Sequence, residues 1–242
     1  MTEGPGPDRP REHERKSEFL LAPAERRVLP RLARALPGWV VPDHLTALGI
    51  AAATATGAAY ILTNTAPGWL WAASALLALQ WFGDSLDGTL ARVRHIERPR
   101  YGYYLDHLTD AYSTLAIGLG LGLSPYMLLS VALAVLVAYL VLSINVYLET
   151  YVFGEFRMSY GRIGPTEARL ILITLNTIAW LFGPARFHLA GVPLTPYDIA
   201  GTLAALAMLA LLLRRAALNL QTLARLEPRR PHAEEPDTPR VP

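Results

Sequence analysis

Asp84-Ser-Leu-Asp87-Gly88-Thr-Leu-Ala91-Arg92, followed after nine residues by Gly102-Tyr-Tyr-Leu-Asp106-His-Leu-Thr-Asp110, is the stretch on which the reading of this chain turns. Its four aspartates stand in two close pairs, and each pair adjoins a long apolar run. A carboxylate at the edge of a membrane helix is costly to desolvate and by default marks a functional site.

Working outward, the chain of 242 residues is 52% hydrophobic and only 17% charged, with its charges crowded into particular places. Such segregation belongs to a membrane protein. Six apolar runs, approximately Leu45–Leu62, Gly68–Leu90, Gly102–Leu123, Tyr126–Leu148, Thr166–Phe182 and Tyr197–Leu213, follow one another. Each is close to the ~20 residues that cross a hydrocarbon core. Leucine and alanine dominate them, and Pro-Gly, Ser-Pro, Gly-Pro and Thr-Pro pairs mark four of the joins. Before them, Val28, Leu29, Leu32 and Leu36 alternate with Arg26, Arg27, Arg31 and Arg34. That pattern predicts an amphipathic helix in the headgroup layer, which Pro30 could kink.

The expected architecture is all-α: six transmembrane helices preceded by an amphipathic juxtamembrane helix. It divides into a disordered N-terminus (1–23), the interfacial helix (24–41), a six-helix catalytic domain (42–225) and a disordered tail (226–242). Arginine alternates from loop to loop: Arg92, Arg94, Arg98 and Arg100 in the second, Arg157 and Arg162 in the fourth. With the arginine-rich N-terminal segment and Arg214, Arg215 and Arg225 after the last span, this places both termini and the aspartates in the cytoplasm. The protein is therefore expected in the cell's cytoplasmic membrane, with its site facing inward. The net charge of +2 gives no reason to expect a nucleic-acid partner. The absence of cysteine excludes disulfides and thiolate sites, so any metal must use oxygen or imidazole.

Asp84 and Asp87 are three apart, Asp106 and Asp110 four apart, so each pair shares a helix face. On two antiparallel helices they would form an oxygen cage with no protein cation between them. Crowded like charges in low dielectric are relieved by a hard divalent cation, and carboxylates suit Mg²⁺, Mn²⁺ or Ca²⁺. Four carboxylates carry enough charge for two ions, the arrangement that clamps phosphoryl chemistry. Gly88, Ala91 and Gly102 leave room beside the acids, and Arg92 offers a planar fork to a phosphate. His107 reads as a packing residue, His95 as a solvated one, and Trp69, Trp71 and Tyr126 as an outer aromatic belt.

These residues resemble the CDP-alcohol phosphotransferase family, whose signature D-x2-D-G-x2-A-R-x(about 8)-G-x3-D-x3-D is filled at every position from Asp84 to Asp110. The resemblance implies Mg²⁺- or Mn²⁺-dependent transfer of a phosphatidyl group from a CDP-linked lipid such as CDP-diacylglycerol to an alcohol, with release of CMP. It implies Asp84, Asp87, Asp106 and Asp110 as ligands of two ions, Asp110 as general base, and Thr46, Gly88, Ala91, Arg92 and Gly102 around the CDP group. A homodimer is also expected. A Pro-Asn-x-x-Thr element common in the family stands here as Pro42-Asp43-His44-Leu45-Thr46, leaving Asp43 as a helix cap or a ligand contact.

For the acceptor, Arg157, Glu167 and Arg169 are the candidates, and arginines would suit a phosphorylated alcohol. Two other readings are an aspartate-rich, Mg²⁺-dependent membrane prenyltransferase and a divalent-cation or proton-coupled transporter. The first wants a second aspartate cluster that the sequence lacks; the second rests on Asn145 and Asn176 alone.

Overall fold

The computed structural model describes residues 19–153, 164–183, 185–189 and 191–228. Among them are seven helices: α1 (Ala22–Ala35), α2 (Pro42–Leu62), α3 (Trp69–Arg94), α4 (Pro99–Gly122), α5 (Leu129–Phe153), α6 (Pro165–Phe182) and α7 (Pro196–Leu226). Proline opens α2, α4, α6 and α7, where its preset φ suits the helix and its missing N–H costs nothing. Helix α3 ends at His95, which takes a left-handed φ of 56° and closes the last turn on Ala91 and Arg92. That gives His95 a backbone role that its basic surroundings did not suggest. Helix α1 runs unbroken through Pro30.

Close backbone approach holds the centre together. Lipid tails are as apolar as leucine, so helices in a membrane associate through tight packing and hydrogen bonds rather than by escaping water. A Cβ on Gly83 would stand 2.6 Å from the Leu45 carbonyl oxygen and 2.7 Å from the Gly49 nitrogen. One on Gly120 would fall on the backbone of Gly57. Helix α2 is thus pressed against α3 at one level and α4 at another, and the α3 crossing lies directly before Asp84. Helix α1 covers α3 through an apolar cluster of Ala33, Val40, Leu45, Leu86 and Leu90. Helix α6 packs on α3, and α5 packs on both α4 and α7.

Asn176 is buried and engaged at both ends of its amide. Its Oδ1 accepts from Tyr60 Oη at 3.1 Å and Tyr197 Oη at 2.9 Å, and its Nδ2 donates to Ser74 Oγ at 3.0 Å. Four helices, α2, α3, α6 and α7, meet on this one amide. Asn145 joins Asn219 and Arg215 around the buried carboxylate of Glu149, tying α5 to α7.

Three of the helices, α2, α5 and α7, are long and apolar enough to cross a membrane by length and composition. Helices α3, α4 and α6 carry the acids and arginines of the site, which lower their apolarity. The fold is that of a predominantly helical membrane protein, with one departure from the all-α expectation. Phe187–Leu189 and Val192–Leu194 pair as an antiparallel hairpin between α6 and α7. Helix α7 also continues 13 residues past the expected end of its apolar run at Leu213. Tyr126 is no belt residue: it is 3% exposed and packs against Tyr197. Trp69 and Trp71 do face outward, and Trp180 joins Trp71 edge-on.

Candidate active site

Asp84 and Asp87 occupy successive turns at the end of α3 but reach different neighbours. The Asp84 Oδ2 accepts from Arg169 Nη2 of α6 at 2.5 Å, and its carboxyl acts electrostatically on Asp110 of α4. Asp87 instead turns to α2, where its Oδ2 accepts from Thr46 Oγ1 at 2.8 Å; its Oδ1 accepts from the Gly88 N–H at 2.5 Å. Asp106 lies close enough to act electrostatically on both Asp87 and Asp110. The four acids thus act on one another across α3 and α4, and α2 packs on both of those helices.

Two expectations change. The cage has a protein cation after all, since Arg169 sits on Asp84. Sequence could not show this, because α6 reaches α3 only through the fold. Nor do three acid or imidazole groups among the described residues converge on one point as a metal ion would require. The donor chemistry nevertheless suits a hard cation: Asp84, Asp87, Asp106 and Asp110 are carboxylates near enough to act on one another, with the Arg169 guanidinium on Asp84.

Small residues shape the surroundings. A Cβ on Gly88 would lie 3.4 Å from Arg92 Nη1, so the glycine leaves the surface over which this guanidinium folds. Arg92 Nη2 also donates to Thr89 Oγ1 at 3.1 Å. Ala91 follows on the same partly covered strip, while nothing lies within 4 Å of where a side chain on Gly102 would begin. His107 packs between Tyr103 and Tyr147, with ring centroids 4.1 and 5.0 Å away, and its Nδ1 also lies 3.7 Å from Asp106 Oδ2.

Of the acceptor candidates, Arg157 lies outside the described residues. Glu167 is buried and spans two elements: its Oε1 accepts from the Leu21 N–H at 2.8 Å and its Oε2 from the Gly164 N–H at 2.9 Å. Both oxygens thereby cap the starts of α1 and α6. Arg169 is the residue that enters the acid cluster. Asp43 pairs with Arg98 at 2.7 Å and joins the start of α2 to that of α4.

Sequence reasoning missed Gln80, 1% exposed, whose Oε1 accepts from Arg169 Nε at 2.6 Å. Its signal was there: an amide one turn before Asp84 in an otherwise apolar run. It also missed Glu25, whose Oε1 accepts from Trp81 Nε1 at 2.9 Å and Thr166 Oγ1 at 2.7 Å. That contact closes one wall of a cavity of about 270 Å³ between α1, α3 and α6, which Arg169 also lines.

Residues 39–224, with the whole Asp84–Asp110 stretch inside them, match the CDP-alcohol phosphatidyltransferase family. The chain belongs to that family. Among similar members is cholinephosphotransferase 1 of Danio rerio, 26% identical over 186 residues, which are 70% of this chain and 47% of that one. The chain thus spans about half the length of this curated relative. Among solved structures of similar fold is the phosphatidylinositol phosphate synthase of Mycobacterium tuberculosis with CDP-DAG bound. It is 25% identical, with a TM-score of 0.58, over 82% of this chain and 94% of that one. The prior expectation of a CDP-alcohol phosphotransferase family fold is thereby met.

Proposed function

We propose that this CDP-alcohol phosphatidyltransferase family member moves a phosphatidyl group from a CDP-linked lipid, CDP-diacylglycerol, to an alcohol hydroxyl and releases CMP. The observation that carries the reading is that the family's eight-position motif is complete in this chain, with Asp84 in a largely buried ion pair with Arg169 and Asp87 held by Thr46. Family membership and the CDP-DAG bound to the solved relative support the donor.

Asp84, Asp87, Asp106 and Asp110 would hold Mg²⁺ or Mn²⁺, two ions in the full arrangement. When bound, the metal supplies charge stabilisation for a diphosphate. The chain's own groups do the rest. Thr46 and the Gly88 N–H fix the Asp87 carboxylate. Gly88, Ala91, Arg92 and Gly102 form the bed for the CDP group, Arg92 offering its fork to phosphate. Asp110 accepts the proton of the acceptor hydroxyl as its oxygen bonds to the phosphorus bearing the lipid, and the bond from that phosphorus to CMP breaks.

Arg169 favours a phosphorylated acceptor. It already bonds one carboxylate of the site, and a phosphate arriving there meets a guanidinium held by Gln80. The membrane form consistent with this chemistry has six spans, α2 to α7, with the acids on the cytoplasmic side where nucleotide is available. A homodimer is part of the same proposal. Val137, Ile144 and Leu148 leave α5 with a broad outward apolar face for lipid or a second copy.

Purified protein with CDP-diacylglycerol and Mg²⁺ or Mn²⁺, offered glycerol 3-phosphate, inositol phosphate, inositol and serine in turn, tests the reading. Metal-dependent CMP release confined to one acceptor supports it. Release with none, and none from CDP-linked small alcohols with diacylglycerol, refutes it.

A further inference from the structure

Arg94, in the last turn of α3, makes contacts that the reaction as described does not use. Its guanidinium donates to the carbonyls of Leu36 at 3.0 Å, Pro37 at 2.9 Å and Gly38 at 3.4 Å, and also to that of Val40. Those four carbonyls belong to the segment joining α1 to α2, which forms no helix. A guanidinium carries five N–H donors in a fixed fork, so one arginine can gather several carbonyls that an ammonium on a flexible stem cannot hold in one geometry. Beneath it lies the apolar cluster of Ala33, Val40, Leu45, Leu86 and Leu90, which closes the space under the segment.

The segment leads straight into Pro42, and one turn further Thr46 donates to Asp87. Asp87 stands two turns before Arg94 on the same helix. Arg94 therefore closes a loop: from the end of α3, through the linker, through the start of α2 and back to an acid of α3. The Asp43–Arg98 pair braces the same helix start against α4. We propose that Arg94 is a positioning residue that sets the Thr46–Asp87 hydrogen bond by fixing the linker, and through it the register of α2 against the acid cluster. This inference rests on the transferase reading, and its test separates the two.

Two readouts decide it. In the first, kcat for CMP release is measured for Arg94→Ala, Thr46→Val and the double variant, with Arg94→Lys as the conservative change. Arg94→Ala is expected to lower kcat by several-fold up to about tenfold, no more than loss of the Thr46–Asp87 bond itself, with little change in KM for the donor. The double variant should be no worse than the poorer single one, because both changes act through Asp87. Arg94→Lys should recover part of the loss. Multiplicative losses, or wild-type kcat in Arg94→Ala, would overturn the proposal.

The second readout needs no turnover. The chain lacks cysteine, so spin labels placed at Trp39→Cys in the linker and Trp69→Cys at the far end of α3 report one distance. Arg94→Ala should broaden that distance distribution, and an unchanged distribution overturns the proposal. If the wild type releases no CMP with any acceptor, the transferase reading falls, while the label measurement still decides the role of Arg94.

Discussion

Arg169 Nη2 stands 2.5 Å from Asp84 Oδ2, and the same guanidinium donates through Nε to Gln80 at 2.6 Å. The pair is largely buried, with the two side chains 12% and 19% exposed. It joins α6 to the first acid of the motif, so the region assigned to the acceptor and the region assigned to the donor share one ion pair. Arg169 can therefore answer to both substrates.

If that sharing matters, Arg169→Ala should lower turnover by about 10²- to 10³-fold, the scale seen when a preorganised charge is removed from a reacting site. Binding of Mn²⁺, followed by electron paramagnetic resonance titration, should be undiminished because Asp84 is released. Weaker Mn²⁺ binding would mean that the guanidinium organises the acids instead.

Thr46→Val keeps the shape of the side chain but removes the donor to Asp87. The Gly88 N–H still holds the other carboxylate oxygen, so the expected loss in kcat is about tenfold, roughly the worth of one hydrogen bond to a charged group. Thr46→Ser should be close to wild type. Steady-state CMP release measures both, and equal losses in the two variants would show that the hydroxyl is not what counts.

The glycines should divide by what lies opposite them. Gly83→Ala drives a methyl into the backbone of α2 and should destabilise by about 1–3 kcal/mol, visible as a lower melting temperature in detergent. Gly102→Ala meets nothing within 4 Å and should melt as wild type does, while raising KM for the CDP-linked donor. Equal melting losses in the two would contradict the packing described for α2 and α3.

Asn176→Leu leaves Tyr60, Tyr197 and Ser74 without their shared partner. It should cost about 1–2 kcal/mol of stability, as interhelical hydrogen bonds in membranes do, and leave kcat unchanged in the protein that folds. Thermal unfolding against specific activity separates these effects.

Much of this was legible before any coordinates. The i, i+3 and i, i+4 spacing of Asp84, Asp87, Asp106 and Asp110 put each pair on one face, and Thr195-Pro196 marked the join at which α7 begins. Partners distant in sequence were not legible. Nothing in the residues near 84 announces that Arg169 lies on Asp84, or that Thr46 reaches Asp87. Glu167 resembled a ligand-binding acid, yet both its oxygens cap backbone N–H groups, a use that depends on where α1 ends up. His95 is exposed, as its basic neighbours suggested, but the left-handed backbone by which it closes α3 was not legible. The hairpin after α6 escaped because Phe187–Leu194 is too short for a periodicity to develop.

The most direct test of the central claim compares wild type with Asp110→Asn in metal-supported CMP release from CDP-diacylglycerol, with donor binding measured alongside. The account predicts acceptor-dependent release by the wild type. It predicts that Asp110→Asn binds donor normally and turns over at least about 10²-fold more slowly, as loss of a general base requires. Wild-type turnover by Asp110→Asn would contradict it.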